Sequence, residues 1–120
     1  MKISNENIKS IPKVEFDNKN LKISGKSIPL NKNYFDNYIN ELINLIKTSQ
    51  NDVTIEIDLE CTNAYTKKKL AEFLKKIEKL NNLNKNIKIK WYCNENNDSD
   101  YELGQILKNM TTLDFQIIFK

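Results

Sequence analysis

The chain contains no histidine and no arginine. Its 19 basic residues are all lysine, and it has only two glycines, two prolines, two cysteines and one tryptophan. Each shortage closes a class of function. Histidine is the commonest general base near neutral pH. Without it, zinc sites of the usual Cys/His spacing are excluded as well. Gly25 and Gly104 alone cannot build a phosphate-cradling Walker loop. Cys61 and Cys93 stand far apart, and they read as two reduced structural thiols near strand ends, where a free cysteine behaves as a small hydrophobe. Without arginine the chain lacks the planar fork that grips bases and phosphates, and no aromatics are interleaved with the lysines. No nucleic-acid partner is therefore expected. Asparagine is as frequent as lysine, a shared excess typical of AT-rich coding sequence.

Long apolar runs are missing too. The segment Phe115 to Phe119 is already broken by Gln116, and nothing approaches the roughly 20 residues that cross a bilayer. Residues Met1 to Ser10 hold no signal-peptide h-region. No membrane partner is expected, and a cytoplasmic location follows by default. The acids Glu95, Asp98, Asp100 and Glu102 lack EF-hand spacing and its central glycine. They read as acids seated at a helix N-terminus, where the dipole favours them, with a partner-facing acidic patch as the alternative. Neither a metal nor a cofactor is implied.

What is present suits one domain. The chain has 120 residues, 39% hydrophobic and 29% charged, with a net charge of +3. A chain of this size buries about two-thirds of its unfolded surface. The reading is a single domain over 1–120, with residues 1–12 a ragged N-terminal segment. Lys13 to Phe16 and Leu21 to Ser24 read as strands joined by the turn formers Asp17 to Asn20. Gly25 and Pro29 then break the pattern. Phe35, Tyr38, Ile39, Leu42 and Ile46 fall on one helical face in a helix starting near Asn33 and ending around Ser49 to Asn51. Val53 to Glu60 alternates as a strand. A second helix spans about Asn63 to Leu80, striped by Leu70, Phe73, Leu74, Ile77 and Leu80. Ile87 to Cys93 alternates again. A third helix has Ser99 and Glu102 as a capping box and Leu103, Ile106, Leu107 and Met110 as its stripe. Phe115 to Phe119 is the last strand.

The order is ββαβαβαβ. Strands joined through helices are parallel neighbours with right-handed crossovers. Because the strands alternate rather than reading as continuous apolar runs, the fold class is α/β in two layers: a mixed sheet with helices on one face. Glu56, Asp58, Lys88 and Lys90 would lie on the wet face and pair across strands. The expected core is Ile55, Ile57, Leu59, Leu70, Phe73, Leu74, Ile77, Ile89, Trp91, Leu103, Phe115 and Ile117.

The unusual segment runs from Glu60 to Lys69. Thr62 or Asn63 is a natural N-cap, yet Lys67, Lys68 and Lys69 follow near the first turn, against the dipole. A strand-to-helix turn with free N–H groups and nearby lysines can accept an anion or a phosphorylated side chain. A solvated lysine face is the plainer alternative.

Three segments carry a family resemblance. Ser24-Gly25-Lys26-Ser27-Ile28-Pro29-Leu30-Asn31 resembles the G-x-S-x-P-x-N opening of the SiaC family of bacterial regulatory phosphoproteins. Leu59-Glu60-Cys61-Thr62-Asn63 resembles its L-E-Y-F-N, which leads into T-S-S. Ile89-Lys90-Trp91-Tyr92 with the acidic run resembles its W-Y-Y strand and acid-rich turn. The likeness extends from about Phe16 to Phe119. It implies a STAS-like fold, similar to anti-sigma-factor antagonists, and a non-enzymatic role in signal transduction. In such a module a kinase phosphorylates a threonine at the start of the second helix and a PP2C-type phosphatase removes the phosphate. The unphosphorylated protein binds a diguanylate cyclase, linking it to cyclic di-GMP and biofilm formation.

In that alignment the family threonine falls on Ala64, the next serine on Tyr65 and the last on Thr66. Alanine cannot carry phosphate. The implied phosphoacceptors are Thr66, favoured for matching a family hydroxyl, and Thr62. Asn63, Ala64, Tyr65, Lys67 and Lys68 are the implied partner-binding residues, and Thr62 to Lys69 is expected to lie exposed. The alternatives are a constitutive binder that has lost the switch and, from another class, an anion- or nucleic-acid-binding module using the lysines.

Overall fold

The computed structural model describes residues 11–81 and 85–120. The ragged segment expected over 1–12 therefore falls mostly outside the described residues. Its last two residues are packed: Ile11 rests against the core, and the Pro12 carbonyl accepts the Tyr38 hydroxyl at 3.0 Å.

The elements are β1 (Lys13–Phe16), β2 (Asn20–Ser27), α1 (Lys32–Thr48), β3 (Val53–Thr62), α2 (Ala64–Asn81), β4 (Ile87–Cys93), α3 (Asp98–Met110) and β5 (Asp114–Phe119). The first turn closes on Asp17, whose carboxylate accepts the amides of Lys19 (3.1 Å) and Asn20 (2.7 Å). Asn18 supplies the positive φ, 76°, which asparagine tolerates better than most residues.

The sheet order is β1-β2-β3-β4-β5. β1 is antiparallel to β2, and the other pairs are parallel. Successive right-handed crossovers that always step the same way place every helix on the same face. Two rows of register partners then cross four strands beneath the helices: Leu21, Ile55, Ile89 and Phe115, and Ile23, Ile57, Trp91 and Ile117. Phe35, Ile39, Leu42 and Ile46 of α1, Leu70, Phe73, Leu74 and Ile77 of α2, and Leu103 and Leu107 of α3 bury these rows. The α/β two-layer arrangement expected from strand alternation is the one observed.

The opposite face carries a row of alternating charge, Glu15, Lys22, Glu56 and Lys90. The expected pairs of Glu56 and Asp58 with Lys88 and Lys90 are not the bonds that form among the described residues. Tyr92 donates to Glu56 at 3.0 Å, and Lys120 pairs with Asp58 at 2.7 Å. A phenol two residues along the strand and a lysine at the chain end reach these carboxylates instead.

Several other expectations are corrected. β2 does not stop at Ser24. It runs through Gly25, at φ 100°, and its register against β3 shifts between Gly25 and Lys26. Glycine meets that conformation without a Cβ penalty, so the residue read as a breaker bends the strand and lets it continue. β3 likewise runs on to Thr62. The third helix is capped by Asn97, whose side chain accepts the Asp100 amide at 3.0 Å. Ser99 therefore sits inside the first turn and does not cap. Ile106, placed on the apolar stripe, is 61% exposed. The helix turns roughly 100° per residue, so Ile106 lies about 60° round from Leu103, away from Leu107, at the solvent edge of the stripe. Tyr38, Leu80, Met110 and Ile117 are half-buried against the core. Cys93 is buried, but Cys61 is exposed, because it follows the register shift.

Candidate functional site

The parallel strands β2 and β3 both end at the junction that leads into α2. Asn63 starts that helix. Its side-chain oxygen accepts the Thr66 amide at 2.9 Å, and its carbonyl accepts the Lys67 amide at 3.1 Å. Of the two caps offered by the sequence, Asn63 is the one used, because Thr62 is still paired in the strand opposite Ser27.

Ala64 is the first residue of α2 and is exposed. Tyr65 is half-buried, tilted on Phe35 with ring centres 6.0 Å apart. Its hydroxyl donates to Asp36 at 2.5 Å. Lys69 bridges Asp36 (3.2 Å) and Glu72 (3.0 Å), and Lys32 lies over the Tyr65 ring at 5.1 Å. The tyrosine hydrogen bond, with Lys69 beside it, holds the Asp36 carboxyl below its usual range. The same bond raises the Tyr65 phenol. Glu72 and Asp36 raise the Lys69 ammonium.

Thr66 does not lie exposed as expected. It is 1% exposed. Its hydroxyl donates to the Ser27 carbonyl at 2.7 Å, and the two hydroxyls stand 2.9 Å apart. Ser27 and Thr66 are the buried polar residues found among those described. Each completes the other, so both can sit in an apolar interior. The reason is geometric: position 66 is one turn before Leu70 and faces the core with it.

Thr62 is half-buried and lines a cleft of about 360 Å³ together with Glu60, Cys61, Lys67, Asn97, Ser99 and Leu103. Lys67 and Lys68 are exposed. The structure thus brings Thr62 and Lys67 to one cleft, Tyr65 to the α1 side, and Thr66 into the interior. No group of three or more His, Cys, Asp or Glu side chains among the described residues is placed to hold a metal. Among the described residues, neither Ser27 nor Thr66 has a basic side chain hydrogen-bonded to its hydroxyl, so there this pair is not arranged as a nucleophile and its base.

The reading of the sequence missed Ser27, Asp36 and Lys32 as parts of the junction. Ser27 had a signal, since it is the serine of the G-x-S-x-P-x-N segment. Three of the four fixed residues of that segment have a local job. Gly25 takes the positive φ, Ser27 binds Thr66, and the Asn31 side chain caps α1 by accepting the Tyr34 amide at 2.9 Å. Asp36 had none, because only the packing of α1 on α2 brings it to Tyr65.

Comparison with known proteins bears on the family and the fold. A family model described as SiaC family regulatory phosphoprotein matches residues 5–120. A chain from the structure of the diguanylate cyclase SiaD in complex with its activator SiaC, from Pseudomonas aeruginosa, aligns with a TM-score of 0.80 at 19% identity, covering 93% of this chain and 94% of that one. Apo-SiaC from the same organism aligns with a TM-score of 0.77 at 19% identity, covering 92% of each chain. At these identities the likeness shows the fold. No curated protein matches the chain. No helix among the described residues is long and apolar enough to cross a membrane.

Proposed function

The chain belongs to the SiaC family of regulatory phosphoproteins, and on that premise we propose that it is a non-enzymatic cytoplasmic regulator, acting as one domain, whose partner contact is centred on the β3–α2 junction. The observation that carries this reading is the position of Ala64. It stands exposed at the first residue of α2, flanked by the capping Asn63 and by Tyr65 tied to Asp36. Hydrogen bonds at both flanking residues hold the segment, and the exposed alanine between them cannot be phosphorylated. Pseudomonas SiaC is described as the activator of the diguanylate cyclase SiaD. Carried to this chain, the partner is a diguanylate cyclase and the effect is activation.

A kinase and a PP2C-type phosphatase complete the module if a hydroxyl at the junction is modified. Of the two candidates, Thr62 lines an open cleft beside Lys67. Thr66 reaches a kinase only after its bonds to Ser27 break. Phosphate therefore goes to Thr62 in the switched reading. The burial of Thr66 and the alanine at 64 also favour a second reading, a regulator that binds its partner constitutively.

The test combines the purified chain with the diguanylate cyclases of its native cells, reading complex formation by size-exclusion chromatography and cyclic di-GMP by product analysis. Activation by the unmodified chain supports the regulator. No complex and no change in product would remove it. Phosphosite mapping of the protein from its native cells then separates the two forms: phosphate on Thr62 marks the switch, and none anywhere, with binding intact, marks the constitutive binder.

A further inference from the structure

Beside the junction, α2 and α3 run together, and the seam between them changes along its length. At one end it is closed. Lys75 donates to the Met110 carbonyl at 2.7 Å, and Glu78 accepts the Thr112 amide at 3.0 Å. At the other end it opens into the cleft lined by Thr62, Lys67, Ser99 and Leu103. Between the two ends, one turn past Leu103 and one turn before Met110, comes Ile106, a large apolar side chain that is 61% exposed. On the α2 side Ala71 is half-buried against the core.

The charge on α2 is one-sided. From Lys67 onward, every fully exposed residue of the helix is a lysine: Lys67, Lys68, Lys75, Lys76 and Lys79. The helix's two half-buried glutamates are already engaged, Glu72 with Lys69 and Glu78 with the amide of Thr112. Of these five, Lys75 has partners among the described residues, the Met110 carbonyl and, at 3.9 Å, Glu78, and the rest of the pattern gains little within the chain. Lys67 and Lys68 near the start oppose the helix dipole, and Lys75 with Lys79, one turn apart, repel each other.

We propose that the α2–α3 seam docks an acidic amphipathic helix of a protein partner. The apolar side of that helix packs on Ile106 and Ala71, and its carboxylates face the lysine ridge. The proposal rests on the partner-binding reading above and states the chemistry of the surface the partner brings. A protein is the occupant because the ridge has neither an arginine fork nor an exposed aromatic on which bases could stack.

The experiment uses the isotope-labelled full chain and a synthetic helical peptide carrying leucine at i, i+3, i+4 and i+7 and glutamate elsewhere. Control peptides replace glutamate by lysine, or leucine by alanine. Phosphatidylserine vesicles and duplex DNA are tested alongside. The acidic peptide is expected to shift resonances of Ile106, Ala71, Lys68 and Lys79, and both controls to leave them in place. Affinity should fall about tenfold or more in I106E and in K68E/K79E, which alter exposed side chains and should melt as the parent does. The K68E/K79E protein should in turn bind the lysine peptide.

Shifts confined to other surfaces, equal binding by the charge variants, or stronger shifts of the same residues by vesicles or DNA would overturn the proposal. Binding of the diguanylate cyclase separates the two readings. If the cyclase binds the parent, I106E and K68E/K79E equally, the seam is not the docking surface while the regulator stands. If the cyclase does not bind but the charge swap works, the seam stands and the regulator falls.

Discussion

The Thr66 hydroxyl gives its one proton to the Ser27 carbonyl at 2.7 Å, so across the 2.9 Å contact between the two side chains it is Ser27 that donates to Thr66. This pair joins the end of β2 to the first turn of α2. It couples the segment before α1 to the junction at the centre of the proposed partner surface. Any change that breaks it frees both ends at once.

Replacing Thr66 by valine keeps the volume and removes both bonds. A buried carbonyl and a buried hydroxyl on Ser27 are then left without their partner, a loss of about 1–3 kcal/mol. Urea unfolding of Thr66→Val should show this, and Thr66→Ser should recover most of it. A valine variant as stable as the parent would show that the pair holds nothing together.

Gly104 lies in α3 where the helix packs directly on Trp91 of the sheet. A Cβ built there would stand 2.6 Å from Trp91 Cδ1 and 2.7 Å from its Nε1. Trp91 cannot swing aside freely, because it is 1% exposed and its indole donates to the Asp100 carbonyl at 3.1 Å. Gly104→Ala should therefore destabilise by about 1–3 kcal/mol through overpacking. The fluorescence of Trp91, the chain's one tryptophan, should shift with it. An unchanged spectrum and unchanged stability would mean that the helix is farther from the sheet.

Glu78 supplies a pH dependence. Its carboxyl is held below the usual range by the Thr111 hydroxyl and the Thr112 amide, with Lys75 nearby. A depressed carboxylate stabilises the fold fully above its unfolded pKa, about 4.3. That contribution is lost as the pH falls through the lower, folded value. Glu78→Gln should thus be less stable than the parent at neutral pH, and the gap should close on acidification below about pH 4. Parallel stability curves for the two proteins would contradict this.

Sequence alone determined the order of elements and the two layers, and all but Ile117 of the residues expected in the core are buried. Strand alternation and helical spacing are local periodicities, and each directs side chains to one face without reference to anything distant. Asn63, with Lys67 and Lys68, marked the junction for the same reason: caps and end charges act within one turn. Tertiary structure alone decided which hydroxyls there are free. Thr66 reads like Thr62 in sequence, yet it faces the core on the Leu70 side of α2 and meets Ser27, 39 residues earlier in the chain. Ile106 reads like Leu103, yet it stands at the solvent edge of the stripe beside α2, where nothing among the described residues packs over it. Exposure is a property of what packs opposite a residue, and that is settled only when strands and helices far apart in the chain come together.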